Sequence, residues 1–335
     1  MSTARASTDT TAPRSPAAPA SLGERRGESA APAASRGVVL VTGATAGIGR
    51  VSALHMARRG YHVIATGRRG EELAALRDEA ARERLRLDTA ILDVTSAASI
   101  AAALGEVDRL TGGRGVDVLV NNAGFGMVAP LTEMTDGELR RQFETNVFGL
   151  MAVTRAFLPA MARRRAGRII NVSSVSGRLT LPFMGAYSAT KYAVEALSDS
   201  LRHELHPLGI AVVLIEPGPI KTHFAETAMR SASDYAGSRY ALALTRADAT
   251  RARMDRMSPG PEVVARAIER AARRRRPAAR YVTPGSNRLV LLLSSLLPQR
   301  LWDWAMRRIA HLSPATVDAP ATEPGRGPAA GAAVN

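Results

Sequence analysis

Short apolar runs alternate with helix-compatible segments along most of this chain, and that alternation constrains its fold more than any other feature. The runs fall at 38–42, 61–66, 87–92, 116–120, 168–172 and 210–216, with 280–283 as a candidate seventh. They read mostly as continuous Val, Ile and Leu rather than as strict apolar–polar alternation, the pattern of strands buried on both faces. A helix-compatible stretch reaching Arg59 and a charged one at 71–84 separate the first three. Such alternation predicts an α/β fold in a single domain, a doubly wound parallel sheet covered by helices.

Composition sets the limits of that domain. Of 335 residues, 46% are hydrophobic, ample for a packed core. Residues 1–35 are rich in Ala, Ser, Thr, Pro and Arg, and Leu22 is their sole large aliphatic residue after Met1. A disordered N-terminal tail is therefore expected, and 314–335 has the same character. Between the tails, 36–285 reads as the main domain and 286–313 as a C-terminal helical extension. The first residues lack the apolar segment of a secretory signal, which predicts a cytoplasmic protein. With no cysteine in the chain, a disulfide framework, a thiolate metal site and a cysteine nucleophile are excluded. No apolar run reaches the roughly 18 residues of a membrane-spanning helix.

The net charge of +15 raises the question of nucleic acid. Only Lys191 and Lys221 among the 45 basic residues are lysines, and the arginines cluster at 163–165 and 273–276. Such clusters suit solvated helix ends. Aromatic residues make up 4% of the chain and form no basic stacking platform, so no nucleic-acid partner is expected.

The chemistry lies at the ends of the strands. The first run ends in Thr42-Gly43-Ala44-Thr45-Ala46-Gly47-Ile48-Gly49. Glycines between a strand and a helix permit a tight turn and a close approach to a pyrophosphate, and the helix N-terminus adds unpaired N–H groups. The second strand ends in Thr66, Gly67, Arg68 and Arg69. It carries no acid to bond a ribose 2′-hydroxyl, whereas guanidiniums can grip a 2′-phosphate, which favours NADP(H) over NAD(H). Asp93-Val94 and Asn121-Asn122-Ala123-Gly124 follow the third and fourth strands, and Ser173-Ser174 ends the fifth. In Tyr187-Ser-Ala-Thr-Lys191, a helix places Tyr187 and Lys191 one turn apart on one face. An ammonium about 4 Å from a phenol, at an effective dielectric near 20, would lower its pKa by roughly 3 units. That would bring the phenol toward the range of efficient acid–base catalysis.

With these motifs in order, the sequence resembles the short-chain dehydrogenase/reductase family, in the branch with one Rossmann-like domain, over roughly residues 36–285. The resemblance implies Asn146, Ser174, Tyr187 and Lys191 as the catalytic set. Ser174, not Ser173, lies 13 residues before Tyr187 as in relatives. It implies cofactor contacts from Gly43, Thr45, Gly47, Ile48 and Gly49, from Arg68, Asp93 and Val94, and from Asn121, Ala123 and Gly124. Tyr187 and Lys191 would join them, as would Pro217, Gly218, Ile220 and Thr222 in a loop embracing the nicotinamide. One departure is Ala46, where many NADP-preferring relatives carry a basic residue. By the same resemblance, long helices around 138–164 and 187–206 imply a homodimer or homotetramer.

A variable flap at 223–261 brings Phe224, Met229, Tyr235, Tyr240, Leu242 and Leu244. The segment 177–187 and the Pro219-Ile-x-Thr-x-Phe224 pattern resemble the hydroxysteroid and retinol dehydrogenases, which implies a lipophilic alcohol or carbonyl substrate. The stretch 287–312, apolar and basic with Trp302 and Trp304, fits either a helix packed on the core or peripheral membrane contact; packing is the expectation. Two other functions compete: a catalytically silent nucleotide-binding regulator, and a basic surface-binding protein. No metal site is expected, since His203-Glu-Leu-His206 falls one residue short of H-E-x-x-H.

Overall fold

A computed structural model describes residues 35–317. The expected N-terminal tail up to residue 34, and the second tail from residue 318, lie outside the described residues. All seven apolar runs are strands: β1 Val38–Val41, β2 His62–Gly67, β3 Leu87–Ile91, β4 Val118–Asn121, β5 Gly167–Val172, β6 Ile210–Pro217 and β7 Arg280–Thr283. They form one parallel sheet in the order 3-2-1-4-5-6-7. The order reverses between β1 and β4, and in such sheets ligands sit beyond the carboxyl ends of the strands at that crevice.

Both faces of the sheet are covered, which is why its strands lack alternation. Val39 and Val41 of β1, with Val63, Val120 and Ile170, face the helices α1 (Gly47–Arg58), α2 (Gly70–Arg82) and α9 (Glu262–Arg273). Val38 and Leu40, with Ile64, Leu119 and Ile169, face α3 (Ala97–Thr111), α5 (Leu150–Arg164) and α6 (Gly185–Leu205). The helices start and stop on local signals. Ser96 caps α3 by accepting from the Ser99 N–H, and Gly112 ends it in the left-handed conformation. Thr135 and Glu138 form a reciprocal capping box at the start of α4 (Asp136–Phe143).

Two expectations need correction. The long helix implied around 138–164 is α4 and α5 joined by one π-helical turn, Glu144–Gly149. Asn146 lies in that turn, and both ends of its amide bond to groups outside the helix. Gly149 presses on Val94, whose carbonyl oxygen would lie 2.9 Å from a Cβ there. Single wide turns of this sort occur where a helix must aim a side chain out of its regular register. The second correction concerns the C-terminus. The expected packing helix is two helices, α10 (Asn287–Leu296) and α11 (Gln299–Ile309), broken at Pro298. Only Leu291 of α10, and no residue of α11, is buried. The described residues continue past the expected boundary at Ser313 to 317, where Thr316 is buried and its hydroxyl bonds the Ser313 carbonyl.

Over the carboxyl end of the sheet lies the expected flap, built from α7 (His223–Arg230), a short 3-10 turn and α8 (Ala241–Met257). Tyr235, Leu244 and Ala228 close an apolar cluster with Val128, Ala129 and Phe183.

Candidate active site

The turn after β1 is shaped by what its glycines leave out. Gly43 has φ +65°, and a Cβ there would lie 2.9 Å from Ala123 Cα. At position 49 a Cβ would collide with the Gly43 carbonyl oxygen. Thr42 stitches the turn to the neighbouring motif, its Oγ1 accepting from the Asn122 and Ala123 N–H groups at 2.9 Å each. Asn122 Nδ2 donates to the carbonyls of Thr42 and Gly43. Asn121 turns away from this cleft and bonds Thr154 and Asn171. The first hydrogen bond at the start of α1 runs from the Arg50 N–H to the Ala46 carbonyl, and Ala46 supplies no side-chain cap. The N–H groups of Gly47, Ile48 and Gly49, in the first turn, are therefore without a helical partner and lie at the positive end of the helix dipole. That donor set fits a dinucleotide pyrophosphate.

The end of β2 and the Asp93 turn form the neighbouring wall. Gly67 abuts Thr45, whose Cγ2 would lie 2.6 Å from a Cβ at that position. Arg68 projects beyond it, 75% exposed, with Nη1 4.0 Å from Asp93 Oδ2. Arg69 is held by Glu72 at 2.9 Å. Burial disfavours the Asp93 carboxylate, but bonds from the Thr95 N–H and hydroxyl, and the Arg68 guanidinium, hold it below its usual range.

Beyond β5 the catalytic candidates converge. Ser174 Oγ donates to the Pro217 carbonyl at 3.3 Å and accepts from the Ser176 N–H. Ser173 points the other way, and a Cβ on Gly177 would lie 2.9 Å from its hydroxyl. Strand alternation thus separates the two serines. Tyr187 lies in the first turn of α6, its ring 5.4 Å from that of Phe224. Lys191 donates from Nζ to the Val172 carbonyl at 2.8 Å, one turn along the same face. Asn146 accepts from the Phe125 N–H at 3.1 Å and donates to the Phe125 carbonyl and Thr190 Oγ1. Thr190 in turn donates to the Tyr187 carbonyl at 2.7 Å. The loop after β6 closes over this group: Thr222 caps α7 and lies against Gly47, while the Gly218 N–H bonds the Thr283 carbonyl.

The electrostatics overturn one expectation. Burial pushes the Tyr187 phenol up to about 12, against the opposing influence of the Ser174 hydroxyl, and pushes the Lys191 ammonium down to about 8, against the field of Glu195. Lys191 Nζ stands 5.7 Å from the phenol ring centre and is engaged by a backbone carbonyl. Desolvation of both groups outweighs the attraction between them.

Thr42, Asn122 and Thr190 support this site without having been singled out as site residues; small polar residues in turns give no signal until their partners are known. Asn287 is another. Its amide presses on Gly218, and its Nδ2 is buried without a hydrogen-bond partner. His203 and His206 are exposed, and no group of metal-ligating side chains occurs among the described residues.

A family profile described as short chain dehydrogenase matches residues 37–233. The chain belongs to the short-chain dehydrogenase/reductase family. It is accordingly an NAD(P)-dependent oxidoreductase acting on CH–OH groups. Within that family it is 37% identical over 265 residues to the oxidoreductase YbbO of Escherichia coli K12, covering 79% of this chain and 92% of the relative. It is 31% identical over 268 residues to the NADPH-dependent 3-dehydrocapnine reductase of Ornithobacterium rhinotracheale, covering 79% and 94% of the two chains. A solved short-chain dehydrogenase/reductase from Burkholderia phymatum in complex with NAD superimposes with a TM-score of 0.68 at 27% identity. That match covers 81% of this chain and 94% of the other.

Proposed function

We propose that this short-chain dehydrogenase/reductase is NADP(H)-dependent and interconverts a lipophilic alcohol and its ketone or aldehyde. The observation that carries this reading is the convergence of Ser174, Tyr187, Lys191 and Asn146 beneath an apolar lid that includes Phe224. Three further features support it. The end of β2 has no acid and, with Gly67 against Thr45, no room for one at that position. Arg68 is free of short contacts and can meet a 2′-phosphate bidentately. The 3-dehydrocapnine reductase, a relative by sequence, is NADPH-dependent.

The cofactor, when bound, supplies or takes up the hydride. Gly47, Ile48 and Gly49 would hold its pyrophosphate, Asp93 and Val94 its adenine side, and Gly124 and Ala123 would let it pass close to the backbone. The loop with Pro217, Gly218, Ile220 and Thr222 would hold its nicotinamide end. Ser174 donates a hydrogen bond to the substrate oxygen, and Tyr187 gives that oxygen a proton in reduction or takes one in oxidation. With its phenol pushed up, Tyr187 is fully protonated at neutral pH and poised for reduction. Lys191 would hold the ribose hydroxyls, and Asn146 supports Tyr187 through Thr190. Exposed Phe148 and Tyr192, on the α4–α5 and α6 faces, fit the homodimer or homotetramer of the same reading.

Titration with NADPH and NADH, followed by nicotinamide fluorescence, tests the cofactor assignment. NADPH is expected to bind more tightly, and Arg68→Ala to weaken it by roughly tenfold to hundredfold, the worth of hydrogen bonds to a charged group. Equal or tighter NADH binding overturns the preference.

A further inference from the structure

The C-terminal extension shows an inverted amphipathic pattern. Leu289, Leu292, Leu293 and Leu296 follow the i, i+3, i+4, i+7 spacing of one helix face, and all four are 43–70% exposed. That face looks outward, while Leu291 alone of α10 is buried. The serines of α10 present no free hydroxyl donor, since Ser294 and Ser295 donate to the carbonyls of Leu291 and Leu292 at 2.8 Å. Both are thereby satisfied within the helix, whatever medium surrounds it. Next to it, α11 exposes Leu301, Ile309 and Trp304, the last at 56%.

Charge decides what covers this surface. Arg288, Arg300, Arg307 and Arg308 stand exposed around the apolar face, and none has a carboxylate partner among the described residues. Arg308 instead lies over the Trp304 ring, 5.8 Å from its centre. Asp303, the sole acid of the two helices, already accepts from Gln299. A second copy meeting this face about a two-fold axis would set four unpaired guanidiniums against four. An anionic membrane surface meets both demands, apolar depth for the leucines and negative headgroups for the arginines. No described helix is long and apolar enough to cross a membrane, so the contact is peripheral.

We infer that α10 and α11 seat this protein on anionic lipid bilayers. The inner side of α11 gives the placement a use. Trp302 and Met306 form one wall of a cleft of about 590 Å³ whose other wall holds Leu179, Leu181 and Phe183, in the segment leading into the Tyr187 helix. A bilayer-seated α11 sets the mouth of that cleft at the lipid boundary.

The chain has two tryptophans, Trp302 and Trp304, both in α11, so its tryptophan emission, excited selectively over tyrosine, reports this element alone. The full-length protein is mixed with vesicles of phosphatidylcholine alone, or of phosphatidylcholine with phosphatidylglycerol, including a brominated acyl-chain series. Co-sedimentation with the anionic vesicles, a blue shift and bromine quenching are expected. Arg300→Gln with Arg308→Gln should weaken partitioning roughly tenfold or more, and Leu292→Asp with Leu293→Asp should abolish it. NADPH binding by each variant confirms that the domain is folded. Unchanged emission and no co-sedimentation with either composition overturn the inference. So does a fall in the mass of the lipid-free protein on Leu292→Asp with Leu293→Asp, which would make this face a contact between copies. Neither result touches the cofactor assignment, which the nicotinamide titration reads separately.

Discussion

Tyr187 and Lys191 share one face of α6, and each is disfavoured in its charged form by burial. An enzyme retains such a pair at a cost to its own stability. The Lys191 pKa falls from 10.5 to about 8 on folding, so between those values the unfolded chain binds more protons than the folded one. Stability therefore climbs as pH rises through that window. Lys191→Met is expected to abolish turnover yet raise resistance to urea at pH 7, by up to about 3 kcal/mol. Loss of the bond to Val172 takes back part of that gain. The advantage should shrink as pH rises from about 8 to about 10.5, and urea unfolding at neutral and alkaline pH checks it. A gain that persists undiminished at the higher pH would show that burial of the charge is not its source.

Elements place these residues by steric and hydrogen-bond detail that a sequence only partly exposes. The β1–α1 turn is tight enough that position 49 has no space for a side chain. Gly49→Ala should cost roughly 1–3 kcal/mol through forced backbone shifts and weaken dinucleotide binding more than it weakens the fold. Calorimetry of thermal unfolding and NADPH titration on the same sample separate the two effects. The π-helical turn over Glu144–Gly149 is the opposite case. The resemblance implied a long helix here without this turn, because nothing in the local sequence reveals that Asn146 must reach Phe125 and Thr190.

Across the whole molecule, one arginine ties the last strand to the catalytic layer. Arg280 on β7 reaches Glu195 at 3.0 Å and Asp199 at 2.7 Å on α6, and Glu216 at 3.1 Å on β6. Burial pushes the Glu195 and Glu216 carboxyls up even beside this guanidinium. Removing the cation strands buried carboxylates, so Arg280→Met should destabilise by about 3–5 kcal/mol at neutral pH. The loss should shrink in acid, where Glu195 and Glu216 take up protons and no longer need the partner. Melting temperatures near neutrality and near pH 5 test this.

The parallel sheet, its seven strands and the glycine turn were legible in the sequence, because doubly buried strands and turn glycines are local necessities. The family assignment followed from motifs in order, and the structure brings Ser174, Tyr187, Lys191 and Asn146 together as those motifs imply. Three matters rested on tertiary structure. The balance between desolvation and charge at Tyr187 and Lys191 went against the sequence estimate, since spacing along a helix says nothing about burial. The Arg280 cluster joins residues more than 60 positions apart, beyond the reach of any local pattern. The apolar stripe of α10 was visible as a pattern, but whether it faces the core or solvent depends on where the sheet ends, and that only the folded chain decides.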